Sequence, residues 1–326
     1  MQRLPYIDWD AAARVGRKAV HPGPELTPGA IDEVVAALRS AAGRAPSHIA
    51  EVTGLSAPAD ARTLIVDRAG WIEAMAVSAR TLLAALEAPT QASSLAQRLG
   101  GQLVAGNFGA GLAVVASRIL GQFDPFAEPK RLLLVAPNVV ATERHLGVNP
   151  TDFRLWVCLH EETHRFQFGH APWLVGHLQQ LMRELLAEDQ QLPAWRAGEK
   201  PHSVVDLVTT PAQHETFDRI TAVMSVMEGH ADVMMDRVGT SVLPTLPVIR
   251  RAFEKHRDRT GWPALVSKLL GLDLKRAQYR DGAAFCNEVL RRADVETLNI
   301  AFSSADQLPT LAEIHDPQQW LHRVSR

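Results

Sequence analysis

Cysteine is scarce: Cys158 and Cys286 are the only two in 326 residues, and they lie far apart outside any C-x-x-C pattern. That excludes a disulfide framework and a cysteine-type zinc site, and leaves two buried free thiols as the expectation. Long apolar runs are also missing. No stretch reaches the roughly 18 consecutive apolar residues that a bilayer-spanning helix needs, so no membrane partner is expected. The N-terminal MQRLPYIDWDAAARVGRK has acidic residues and Pro5 where a signal peptide would carry an unbroken apolar core, which makes the cytoplasm the expected location. Charge of one sign is lacking too: the formal net charge is −2, and the basic residues, mostly arginine, form no long run. Neither nucleic acid nor an anionic lipid surface is expected as a partner. Repeats at solenoid periods and low-complexity segments are absent.

What is present is a chain that is 46% hydrophobic, enough to bury a sizeable core. Its length suits one catalytic unit over residues 1–326, whole or as two lobes, 1–150 with a small sheet and 151–326 helical. Helical signals dominate. Thr27-Pro28 supplies an N-cap and a proline for the first helical turn, followed by IDEVVAALRSAA. A second helix is predicted over 70–88, and the Ser93–Gly121 stretch is apolar and rich in small residues. TLIVD (63–67) and RLLLVAPNVV (131–140) read as strands. Thr151 is the expected cap of a helix through DFRLWVCLHEETHRFQF, and Pro172 the start of the next. A polar loop over 188–204 precedes a long helix at 214–237, with further helices at 244–258, 262–270 and 274–292 and an irregular tail over 303–318. The expected fold is mainly α with a small β-sheet.

On the predicted helix after Thr151, His160-Glu161-Glu162-Thr163-His164 forms an H-E-x-x-H motif. Residues i and i+4 lie one turn apart on one helix face, so both imidazoles can reach a single cation. Glu161, beside the first histidine, is placed to take a proton from a metal-activated water. Such a site needs one further protein ligand. His170 stands ten residues after His160, the metzincin spacing, but Gln167 occupies the position where that arrangement needs a turn glycine, and Gly169 comes two residues late. Glu228, in MSVMEGHADVMMD (224–236), is the favoured candidate, with Asp232 four residues on to accept the other ring N–H of a ligand histidine. His230 is two residues from Glu228, about 200° around the helix, so both cannot face one metal. A di-iron reading of Glu161-Glu162-Thr163-His164 needs a second E-x-x-H on a helix; the other copy, Glu199 to His202, sits in a proline-containing loop.

Tyr279, in KRAQYRDG (275–282), is a candidate donor to a tetrahedral oxyanion, with Arg280 and Lys275 as rivals. The 131–140 strand offers either an edge for an extended peptide or an internal core strand. The glycines of GGQLVAGNFGAGLA (100–113) lack the Lys-Ser/Thr of a phosphate loop, and close helix packing is the expected use.

HEETHRFQF followed by PWL, MEGHADVMMD, LLGLDLKRAQYRDGAAF and LPTLAEIHDPQQWLHRV, with LGQFDP (120–125) and LLLVAPNV (132–139), resembles the bacterial zincin-like metallopeptidase family. Members of that family are described as hydrolases or associated with biosynthesis of the deazaflavin coenzyme. The resemblance implies a zincin-type active-site helix in a mainly helical fold. The Glu228–Asp232 segment is similar to the second motif of thermolysin-like gluzincins, which implies His160, His164 and Glu228 as zinc ligands, Glu161 as general base and Asp232 behind a ligand histidine. The expected function is a zinc-dependent hydrolase of a peptide or other amide substrate. A non-peptide amide hydrolase serving coenzyme biosynthesis and a zinc-stabilised scaffold without turnover are the competing readings. The sequence is silent on substrate and oligomeric state.

Overall fold

The computed structural model describes residues 6–55, 61–85, 91, 94–187, 211–256 and 277–325. In chain order the elements are α1 (Trp9–Ala19), α2 (Pro28–Thr53), β1 (Arg62–Val66), α3 (Arg68–Ala85), α4 (Leu95–Ala116), β2 (Gly121–Asp124), β3 (Arg131–Val135), α5 (Ala136–Leu146) and α6 (Pro150–His170). There follow α7 (Trp173–Ala187), α8 (Pro211–Arg237), α9 (Leu246–His256), α10 (Ala277–Arg292), α11 (Val295–Asn299), two 3-10 turns (Ile300–Phe302, Ala305–Gln307), α12 (Leu311–His315) and α13 (Pro317–Val324). A helical fold with one small sheet is therefore what the patterning builds. The expected loop at 188–204 and helix at 262–270 lie outside the described residues. Two compact units divide the chain: Leu4–Gly169 with Met234–Gly261, and Met1–Arg3 with His170–Val233 and Trp262–Arg326.

The first unit holds the sheet, in the order β1-β3-β2, with β1 parallel and β2 antiparallel to β3. Thr27 caps α2 as expected, its Oγ1 accepting from the Ala30 N–H at 3.3 Å. The helix then runs well past IDEVVAALRSAA, because Val34, Leu38, Ala41, Ala45 and Ile49 continue a buried stripe at helical spacing. The strand expected over 131–140 ends at Val135, and its second half is the start of α5. Pro137 explains the switch: it has no N–H to continue a ladder but suits a first helical turn. β3 is also the central strand, so it offers no edge to a peptide. β2 escaped prediction because a four-residue strand of Gly-Gln-Phe-Asp carries little β propensity.

The glycine-rich segment is used for close helix packing. A Cβ on Gly109 would lie 2.5 Å from the Ala12 carbonyl oxygen, and one on Gly16 would lie 2.9 Å from the Gly109 carbonyl oxygen. α1 and α4 thus meet backbone to backbone. By length and hydropathy alone, Leu99–Ala116 would suffice to cross a bilayer, against the sequence expectation. Its small apolar residues raise the hydropathy, and in the fold they serve contact with α1.

Two polar clusters fix β2. Buried Asn138 donates to the carbonyls of Ala116 (2.7 Å) and Ile119 (2.6 Å) and accepts from Arg68 Nε (2.6 Å). Asp124, 1% exposed, accepts from Ser78 Oγ at 2.5 Å and Arg131 Nε at 3.0 Å. α6 is buried on most sides, with Phe153, Leu155, Trp156, Val157, Cys158 and Leu159 all buried. Its cap is Asn149 rather than Thr151: Asn149 Oδ1 accepts from the N–H groups of Thr151 (2.9 Å) and Asp152 (3.1 Å).

The second unit is helical. α8 and α10 cross so closely that a Cβ on Gly229 would lie 2.2 Å from the Gly282 carbonyl carbon, and one on Gly282 would lie 1.9 Å from the Ser225 carbonyl oxygen. The stretch 303–318, expected to be irregular, contains α12 and the start of α13 instead. Thr310 and Glu313 form a reciprocal capping box, and Pro317 opens α13. Arg323 Nε donates to Glu313 Oε1 at 2.6 Å, tying the two short helices together.

Candidate metal centre

α6 places His160 and His164 one turn apart, with Nε2 to Nε2 at 3.2 Å and ring planes at 88°. His164 is buried and His160 half-buried. The Nδ1 of His164 lies 2.9 Å from Gln167 Oε1, an oxygen that only accepts. The proton of a neutral His164 is thereby assigned to Nδ1, and its Nε2 lone pair is turned toward His160. Two imidazole nitrogens at that separation share either a proton or a cation, and i, i+4 histidines on a mostly buried helix suit a cation.

Glu161 is 7% exposed and packs on the first residue of β2. A Cβ on Gly121 would lie 2.6 Å from Glu161 Cγ, 3.0 Å from its Cδ and 3.1 Å from its Oε1. Glu162 is 2% exposed and accepts from Arg165 Nη1 at 2.7 Å. Burial raises the Glu162 pKa and the Arg165 charge and hydrogen bond oppose the rise. Cys158, on the same helix, is a buried thiol whose pKa is pushed up by burial first and then by the charges of Glu161 and Glu162. It is an inert packing residue.

Gln167 is the residue that sequence reasoning passed over. In the sequence it stands out only as occupying the position where a turn glycine would be needed. Fully buried, it orients His164 while α6 continues unbroken to His170. His170 is exposed at the helix end. Ten residues along a straight helix are about 15 Å, too far to share an ion with His160. The available signal for Gln167 was its i+3 relation to His164. For Gly121 no local signal existed, since its role depends on a helix forty residues away.

α8 carries Glu228 and Asp232, both half-buried, four residues apart. Between them His230 is fully buried, edge-on to Phe302 at 5.0 Å between ring centroids. Cys286 of α10 has its pKa raised by burial first and by the Asp232 charge second. Tyr279 and Arg280 fall within α10, but their side chains lie outside the described residues, as does Lys275.

A solved structure from Chloroflexus aurantiacus, described as a "putative hydrolase with a novel fold", is similar to this chain with a TM-score of 0.75 and 29% identity. The match covers 98% of this chain and 99% of that one. No curated protein matches the sequence. The model of the zincin-like metallopeptidase family matches residues 7–321, nearly the whole length, and the chain therefore belongs to the zincin-like metallopeptidase family.

Proposed function

We propose that this protein is a zinc-dependent hydrolase of amide bonds, a metallopeptidase, with His160, His164 and Glu228 as metal ligands and Glu161 as general base. One observation carries the reading: on α6 the Nε2 atoms of His160 and His164 lie 3.2 Å apart, one turn from each other and beside the buried Glu161. Two imidazole nitrogens and one carboxylate oxygen are a donor set that suits zinc and leaves a position open for chemistry. When bound, zinc supplies a Lewis acid that lowers the pKa of water and polarises a carbonyl.

The chain's own residues do the rest. Gln167 holds His164 in the tautomer that presents Nε2. Asp232 has the corresponding role for the second ligand histidine in this reading. Glu161 accepts the proton of the attacking water and returns it to the departing nitrogen. Its burial against Gly121 limits the conformations it must give up to reach that geometry. Tyr279 is the proposed donor to the oxyanion.

The test is Glu161→Ala, assayed with a quenched-fluorescent peptide library. Zinc, measured by mass spectrometry, stays at one per chain while hydrolysis stops. Undiminished hydrolysis in that variant, or less than one zinc per unmodified chain after zinc supplementation, would overturn the proposal.

A further inference from the structure

The geometry points to Gly121 as a positioning residue for Glu161: the missing side chain at the start of β2 is the slot in which the carboxylate is held. The inference rests on the reading of Glu161 as general base.

Nothing in the backbone of Gly121 asks for glycine. The glycines with positive φ among the described residues are Gly23, Gly54, Gly147 and Gly239, so Gly121 has a conformation open to any residue. Within a strand, glycine weakens pairing and often marks a site where another group approaches closely. The approaching group here is Glu161. Its Cγ, 2.6 Å from where a Cβ at position 121 would sit, is mid-chain rather than terminal, so a swing of the carboxylate alone cannot relieve the clash.

The strand cannot yield instead. Val135 N–H donates to the Leu120 carbonyl at 2.8 Å, Gly121 pairs with Leu134, and Asn138 holds the carbonyls of Ala116 and Ile119. A methyl at position 121 must therefore turn Glu161 about its first side-chain torsion, carrying the carboxylate out of its place. The histidines, on another face of α6, are left where they are.

Gly121→Ala, Glu161→Ala and the double variant test this. In Gly121→Ala, kcat on the peptide library falls by about 100-fold, the lower range for a lost general base, while KM and zinc affinity stay within about threefold. The thermal midpoint of the metal-free protein falls in Gly121→Ala and is recovered in the double variant, which lacks the Glu161 Cγ. The kcat of the double variant equals that of Glu161→Ala alone. A kcat in Gly121→Ala within threefold of the unmodified protein would overturn the inference, as would thermal effects that simply add. If both Gly121→Ala and the double variant fail to fold, glycine is needed by the strand itself and the inference is wrong. Absence of hydrolysis by the unmodified protein would instead sink the reading of the function. The thermal cycle, which needs neither metal nor substrate, would still decide whether Gly121 positions Glu161.

Discussion

The two helices that carry the acidic and basic groups of interest, α6 and α8, are held in place by different means. On α6 the side chains are fixed one at a time: His164 by Gln167, Glu162 by Arg165, Glu161 by the space over Gly121. On α8 the main chain is fixed, by the glycine crossing with α10 that brings Ser225, Gly229 and Gly282 into backbone contact. Substitutions around α6 are therefore expected to change metal affinity or chemistry while leaving the fold intact. Substitutions at the α8 crossing are expected to cost the fold itself.

The largest effect should come from Gly282→Ala, because the added methyl meets the Ser225 carbonyl at 1.9 Å and neither helix backbone can move aside cheaply. A loss of about 3 kcal/mol or more in denaturant unfolding is expected, at the upper end for overpacking. Gly106→Ala is the matched control: it meets no atom within 4 Å in the interior of α4 and should gain about 0.5–1 kcal/mol from helix propensity. Equal and small effects at both positions would break the contrast between a fixed backbone and fixed side chains.

Next in size is Gln167→Leu. Removing the acceptor of His164 Nδ1 should weaken zinc binding by about 10–100-fold, read by chelator competition. The unfolding midpoint of the metal-free protein should shift little by comparison. A large stability loss without a change in zinc affinity would mean that α6 is held like α8.

The smallest effect concerns α12 and α13. Burial works to raise the pKa of Glu313, but the Arg323 hydrogen bonds and the Thr310 contacts outweigh it and hold it below the usual carboxylate range. A depressed folded pKa means stability that is present above the unfolded pKa and lost as pH falls through the folded one. Glu313→Gln should cost about 1 kcal/mol at pH 7, allowing for the partly exposed Arg323. The difference from the unmodified protein should shrink as the pH is lowered through and below the carboxylate range, measured by unfolding at several pH values.

The legible parts of this protein were those written in local pattern. The Thr27 cap, the H-E-x-x-H spacing and the acidic pair on α8 each need only a few neighbouring residues. The errors arose where a short signal competed with a longer one. RLLLVAPNVV has strand composition throughout, and only Pro137 marks the change to helix. Thr151 looked like a cap until Asn149 supplied the better-placed oxygen. Thr310 and Glu313 spell out a capping box in a tail whose prolines suggest irregular chain, although one of them, Pro317, begins a helix.

By itself the sequence determined the helical class, the two inert thiols and the histidine pair, because helix periodicity and burial are properties of consecutive residues. Only the tertiary structure decided that β3 is central, that Gln167 serves His164 and that Gly121 makes room for Glu161. Each of those depends on which backbone lies opposite, and no spacing along the chain carries that information.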